Sequence, residues 1–397
     1  MKSYVIIGAG ISGLTAGNIL AARGNKVEVV ERESRFGGKV LEYCCKATDS
    51  CSKCGVCVAH TKLSEAVLHK NLTIHTGATV TSVSNTGSRV SLKADRKNPY
   101  IDNKTCIGCD LCMTACPVGC ITRYDRAEVV QYMADHASCL LQKGEDCRAC
   151  ADACPVSAIE ADKALTPLTI TGSSALIAAG HTTFNPVEKP RYGYGRSEHI
   201  ITGEMAEEIL SSDMFLNNGD GTRAKNIAFI QCVGSRDPVI GRNYCSAVCC
   251  SYALRLAGVL KHRDNEAEVT VYYIDLQDFD KTFTAFKREL LLKGVHLSRG
   301  VPFRADELAN GRIRVSITDA DGTETFAEHD KVVLSVGMGP AEDSNQLADQ
   351  FGIAGNSHGF LDSSVPNVFV TGTCKNPQSI PQSIAAAEAV AHEMGTI

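Results

Sequence analysis

The stretch YVIIGAGISGLTAGNILAARG, Tyr4 to Gly24, restricts the fold more than any other part of the chain. An apolar strand runs into a glycine turn and out into an amphipathic helix, which commits the chain to an α/β architecture. Gly8, Gly10 and Gly13 stand in the order G-x-G-x-x-G. In that pattern the first glycine permits the tight turn, the second lets backbone approach a pyrophosphate, and the third lets helix pack closely on strand. The phosphates are expected at the helix N-terminus around Ser12, where free N–H groups and the helix dipole favour negative charge. A second strand, KVEVVE, ends in Glu31, where an acidic side chain takes ribose hydroxyls.

With Glu31, Arg32 and the glycines of RESRFGG after it, this unit resembles the flavoproteins with two dinucleotide-binding domains, such as thioredoxin reductase. The resemblance implies that the motif binds the ADP half of FAD, and that Gly37, Gly38 and Lys39 continue the site. SSALIAAG, ending in Gly180, and KVVLSVGMG each read as a strand that ends in that family's glycine. VPNVFVTGTC reads as its C-terminal flavin strand, with a helix from SIPQSIAAAEAVAHEM after it. The family has Gly-Asp at the end of that strand, the acid facing the ribityl chain; here it is Gly372-Thr373.

Cysteine is the compositional outlier, with 19 in 397 residues, an odd number gathered in tight clusters. In a chain this long, clustering suits metal ligation better than disulfides. IDNKTCIGCDLCMTACPVGC carries Cys106, Cys109, Cys112 and Cys116 followed by Pro117. This is C-x2-C-x2-C-x3-C-P, the run of bacterial ferredoxins, in which the fourth cysteine serves the other cluster. A second half follows with Cys139, Cys147, Cys150, Cys154 and Pro155, its first gap longer than usual. The crossed assignment puts Cys106, Cys109, Cys112 and Cys154 on one 4Fe-4S cluster, and Cys139, Cys147, Cys150 and Cys116 on the other. A zinc ribbon is the competing reading, but zinc sites seldom show this run with proline after it. Cys120 has no place in either set and reads as a buried thiol.

YCCKATDSCSKCGVC holds a further set: Cys51, Cys54 and Cys57 in C-x2-C-x2-C, with Cys44 or Cys45 as fourth ligand. An iron–sulfur cluster is the favoured occupant; zinc, or a thiol–disulfide pair, competes. Further on, IAFI, the helix SYALRLAGVLKHR and EVTVYYIDL outline a second strand–helix–strand unit, but without its glycines: Gly234 stands alone in QCVGSRD. No NAD or NADP is expected there. Cys232, Cys245, Cys249 and Cys250 occupy the place of the coenzyme and can converge on one cluster.

QCVGSRD, NYCSAVCC, the KPRYGYG stretch with IITGEMAEEIL, and the inserted ferredoxin resemble the HdrA subunit of heterodisulfide reductase and its relatives. Those relatives include subunits of Qmo type and homologues attached to benzoyl-CoA reductase complexes. The resemblance covers nearly the whole chain and implies a 4Fe-4S cluster on these last four cysteines beside an FAD. It also implies flavin-based electron bifurcation, and an oxidoreductase subunit working within an oligomeric complex. Ferredoxin, or a hydrogenase- or NADH-handling module, is among the partners it implies. Longer members carry an additional N-terminal domain and a C-terminal ferredoxin module, so wiring to partners is expected to differ.

The fold expected is therefore α/β: a thioredoxin-reductase-like flavoprotein of two dinucleotide-type domains with an inserted two-cluster ferredoxin domain. Its expected parts are 1–98 and 331–397 (FAD domain), 99–164 (ferredoxin), 165–223 (flavin-domain continuation and linker) and 224–330 (second domain). One FAD and three to four 4Fe-4S clusters follow. Lys39 and Arg236 are candidates to stabilise a reduced flavin; His181 and Cys374 are candidates to lie near it. Two rivals stand: a free-standing disulfide reductase using Cys51 and Cys54, and a non-catalytic scaffold. The net charge of -5 gives no case for nucleic acid or anionic membrane. No apolar run is long enough to span a bilayer, and the N-terminus lacks a signal peptide, so a cytoplasmic location is expected.

Overall fold

The computed structural model describes residues 1–126, 129–278, 281–318 and 321–396. The chain builds the same two-layer plan twice. The first half centres on Ser3–Ile7 in a parallel sheet whose order is Val368–Val370, Ser174–Ile177, Ser3–Ile7, Lys26–Val30, Leu72–His75. The second centres on Asn226–Val233, with order Ile200–Thr202, Lys331–Val336, Asn226–Val233, Glu268–Tyr273, Val295–Arg299, again parallel. Each carries a three-stranded antiparallel sheet. One is made by Ala78–Asn85, Val90–Lys97 and Leu165–Gly172, the other by Val301–Glu307, Ile313–Thr318 and Glu324–His329.

The helix after the glycine turn, Ile11–Ala22, is buried along almost its whole length, not on one face only. The cause is tertiary: the helices Val56–Leu68 and Ile380–Thr396 cover the side that a lone amphipathic helix would leave wet. Leu14 and Leu20 share one core with Leu63, Ala387 and Met394, and burying each such leucine contributes about 2 kcal/mol.

A cysteine-rich insert interrupts the first half. It leaves the sheet after Val90–Lys97 and returns at Leu165–Gly172. Lys97 pairs with Leu165, so the insert enters at neighbouring chain ends and leaves the sheet intact. It has its own hairpin, Ile121–Arg126 with Val129–Ala134, and its own core around Tyr132, Cys112 and Cys150.

Two domain boundaries differ from expectation. Lys331–Val336, read as part of the FAD domain, lies inside the second sheet. Ile200–Thr202 and the helix Gly203–Ser212, read as linker, belong to the second domain as well. A uniformly apolar parallel strand such as KVVLSV is fit for burial in either sheet, and its own residues do not say which. The chain crosses between domains at Thr182–Thr183 and back at Met338–Gly339, and these two crossings pair with each other.

Candidate flavin and iron–sulfur site

A cavity of about 1160 Å³ opens between the two domains. Gly8, Gly10, Ser12, Glu31, Arg32, Gly38, Lys39, Gly180 and Thr373 line it; Gly13 and Gly372 stand behind that wall. The glycines divide by role. A Cβ on Gly13 would lie 1.9 Å from the Gly8 carbonyl oxygen, so Gly13 is needed for the fold itself. A Cβ on Gly10 would meet no protein atom within 4 Å, so the space in front of it is left for a ligand. A Cβ on Gly372 would strike Ser12.

Glu31 accepts the N–H groups of Ala9 at 2.7 Å and Glu33 at 2.9 Å, and burial pushes its pKa up. Its first task is thus to hold the turn at the cavity wall. Arg32 pairs with Asp343 at 3.5 Å across the rim. Lys39 Nζ lies 2.9 Å from Glu204, whose other oxygen accepts Thr183 Oγ1 at 2.8 Å. His181 also lines the cavity, its Nδ1 3.0 Å from Thr373 Oγ1. Burial, then the Lys39 charge, lower its pKa to about 4, so it is neutral near pH 7. Thr373 thus bonds a neutral imidazole at the position where the flavoprotein family carries an acid. Two other candidates lie elsewhere: Arg236 forms a two-pronged pair with Asp275, and Cys374 is fully buried against Thr371 and Ile177 carbonyls.

Sequence reasoning missed the far wall of this cavity, which includes Tyr43, Lys46, Glu204, Glu207 and Tyr252. Lys46 and Glu207 form an ion pair at 2.7 Å, both side chains nearly inaccessible. No local motif marks them, because the pair joins the N-terminal cysteine stretch to a helix of the other domain. Cys44 belongs to this pair: its N–H and Sγ contact Glu207 Oε2 at 3.1 and 3.2 Å. Burial and that carboxylate push the Cys44 thiol up to about 12. Cys44 is therefore turned away from its neighbours. Cys45 is the one that stands with Cys51 and Cys54 around Cys57, whose thiol is pushed up by burial and by those three.

The other sets assemble as well. Cys106 stands beside Cys154 and Cys109, and Cys112 beside Cys106 and Cys109. Cys116, Cys139, Cys147 and Cys150 border a separate small cavity. Cys232 faces Cys250 and Cys245, and Cys249 faces all three. Cys249 opens the helix Cys249–Arg263 where the first domain has its glycine turn, and a Cβ on Gly234 would run into the Phe184 ring. Phe184 thus packs directly against Gly234, while Cys245, Ala247, Val248 and Ser251 at the start of the helix line the large cavity.

The backbone around these sulfurs is shaped for them. Among the described residues, six of the seven non-glycines with left-handed φ lie in or beside cysteine clusters: Lys53, Asp110, Ser157, Cys232, Arg236 and Ala247. Each such residue costs about 1–3 kcal/mol, and strain of this kind gathers at functional sites. It turns N–H groups onto sulfur: Lys53 to Cys51 at 3.4 Å, Ala247 to Cys245 at 3.3 Å, Ala158 to Cys154 at 3.3 Å. Hydrogen bonds of this type tune cluster sulfurs. Among the described residues no three His, Cys, Asp or Glu side chains are drawn together as for a single metal ion.

Comparison with known proteins agrees with this geometry. Residues 6–61 match the family described as an NAD(P)-binding Rossmann-like domain, and residues 105–158 match the 4Fe-4S dicluster domain. The fold matches thioredoxin reductase of Lactococcus lactis (TM-score 0.55, 14% identity, 100% of this chain and 98% of that one). The T. acidophilum enzyme matches similarly (TM-score 0.54, 15% identity, 100% and 99%). The HdrA subunit of the H2:CoB-CoM heterodisulfide,ferredoxin reductase of Methanothermobacter marburgensis is 30% identical over 415 residues, 98% of this chain.

The chain is similar along nearly its whole length to HdrA subunits of heterodisulfide reductase. The iron–sulfur HdrA subunit of the CoB–CoM heterodisulfide reductase of Methanocaldococcus jannaschii is 29% identical over 423 residues, again 98% of this chain. The chain spans 62% and 63% of the length of these two relatives. The match over residues 105–158 supports 4Fe-4S clusters in the insert. Among the described residues no helix is long and apolar enough to cross a membrane.

Proposed function

We propose that this chain is the flavin-bearing electron-transfer subunit of a heterodisulfide-reductase-like complex, and that it splits or merges electron pairs between two single-electron routes. The observation that carries this reading is the lining of one cavity by Cys54 of the N-terminal set and Cys245 of the second-domain set. When bound, FAD supplies the conversion between an electron pair and single electrons, which 4Fe-4S clusters carry one at a time. Cys45, Cys51, Cys54 and Cys57 would hold one cluster on one side. Cys232, Cys245, Cys249 and Cys250 would hold another across the domain interface. The crossed sets of the insert would hold two more, and Met133 brings the insert's hairpin to the same cavity wall.

The rest of the wall serves position. Arg255 donates to the Ser52 carbonyl at 3.1 Å, and Lys293 pairs with Asp49 at 2.8 Å, so the N-terminal cysteine stretch is tied to the second domain. Lys46 and Glu207 add the buried tie. These contacts hold both cysteine sets in fixed relation to the flavin space, as tunnelling between centres requires. Partner subunits would supply and collect the electrons, with ferredoxin or a hydride-handling module among them. Bifurcation is the finer form of the proposal, supported by two separate cysteine sets at one cavity.

Iron, sulfide and flavin content of anaerobically purified protein tests it. About sixteen irons and one FAD are expected, falling by about four irons in Cys45→Ser and in Cys245→Ser but not in Cys44→Ser. Unchanged iron in Cys245→Ser would remove the second-domain route. Disulfide reduction by the isolated chain with NAD(P)H would favour the free-standing reductase instead.

A further inference from the structure

The insert contains nine cysteines, one more than two cubanes need. The surplus is not evenly shared. Five thiols border the small cavity of one set: Cys116, Cys120, Cys139, Cys147 and Cys150. Cys120 Sγ lies 3.5 Å from Cys116 Sγ, and the Cys120 N–H donates to that same sulfur at 3.3 Å. Cys139 stands on its other side, and Cys120 itself is buried. Cys106, Cys109, Cys112 and Cys154 have the matching backbone contact, Ala158 N–H to Cys154 Sγ at 3.3 Å, but no fifth thiol of the insert is left for them.

We propose that Cys120 is a resident S–H donor to the cluster held by Cys116, Cys139, Cys147 and Cys150, and that it raises the reduction potential of that cluster alone. The inference rests on the reading that the insert holds two 4Fe-4S clusters. Reduction places an extra negative charge on a cluster and its sulfurs, so a donor to sulfur stabilises the reduced state more than the oxidised one. A thiol is a weak donor in water, but at a buried site the low dielectric strengthens what it gives. The same burial disfavours added charge: Cys139 and Cys150 are among the buried residues, whereas Cys109 of the other set is exposed. Cys120 therefore offsets, at the drier of the two clusters, a penalty that the wetter one does not meet. Without it, two clusters with the same ligand chemistry would be separated further in potential, and electrons would cross the insert less readily.

The test uses the full chain, purified anaerobically, as Cys120→Ala, Cys120→Ser and Cys139→Ser. Iron content and an EPR-monitored redox titration are read for each. Cys120→Ala is expected to keep its iron and to move one of the two insert clusters to lower potential, leaving the other in place. Cys120→Ser, which fills nearly the same buried space and still offers a hydroxyl donor, is expected to move it less. Cys139→Ser is expected to lose about four irons together with the very signal that moved. If Cys120→Ala loses those irons, Cys120 is a ligand and the proposal falls. It falls equally if both cluster potentials stay where they were. A wild-type insert without iron would instead defeat the ferredoxin reading on which the inference stands.

Discussion

The two halves of this molecule start alike and end in different chemistry. Each runs a buried parallel strand, Ser3–Ile7 or Asn226–Val233, into a turn and then a helix, Ile11–Ala22 or Cys249–Arg263. In the first, glycines clear space in front of a helix N-terminus, where the phosphates of the proposed flavin would fit. In the second, Phe184 fills the space before Gly234, and thiols gather at the helix start instead. On the proposed reading, one fold would serve as a coenzyme holder and as a cluster holder. The difference lies in a few turn residues, because the sheet and helix behind the turn supply only position.

The comparison can be broken hardest where the halves meet. Glu207→Gln leaves Lys46 as an unpaired charge in a nearly inaccessible place, and a loss of about 3–5 kcal/mol is expected in denaturant unfolding. A loss below about 1 kcal/mol, on the scale of exposed pairs, would show that the pair is not dry. Next comes the first turn. Gly13→Val forces a side chain onto the Gly8 carbonyl and is expected to cost about 3 kcal/mol with loss of flavin. Gly10→Ala should leave stability within about 0.5 kcal/mol while weakening flavin retention, since its Cβ meets only the ligand's space. Equal stability losses in both would erase the division of roles among these glycines.

In the second turn the signature is metal content. Cys249→Ser should keep the fold and the flavin but lose about four irons. A flavin loss of the same size would mean that the two sites fold as one. The smallest effect concerns pH. His329, buried between Tyr272 and Asn226, has its pKa lowered to about 4, mainly by burial. The unfolded chain binds the proton first, so this contribution is full above about pH 6.5 and is lost as pH falls towards about 4. His329→Gln should flatten the stability slope in that window; an unchanged slope would place the acid sensitivity on other groups, His181 first among them.

The fold and most of the candidate site are legible in the linear order of residues. The glycine turn, the two ferredoxin runs and the four thiols of the second domain are local patterns, and local spacing on a turn or helix fixes which side chains can converge. In the insert Cys106 stands near Cys154, and Cys116 shares a small cavity with Cys139, Cys147 and Cys150. Cys44 shows the limit. Beside Cys45 it is an equal candidate by spacing, and only Glu207, 163 residues away, pulls it aside.

Sequence alone determined what depends on short-range geometry: the phosphate turn around Gly8, Gly10 and Gly13, the cysteine runs with their prolines, and the missing glycines of the second domain. Tertiary structure decided what depends on which surfaces meet. It placed Lys331–Val336 in the second sheet, buried Ile11–Ala22 along almost its whole length, and set Cys54 and Cys245 on one cavity. It also put Cys120 against Cys116. The physical reason is the same in each case. A strand, a helix or a thiol carries its own local preferences, but which partner satisfies them is settled by packing between segments that the sequence keeps far apart.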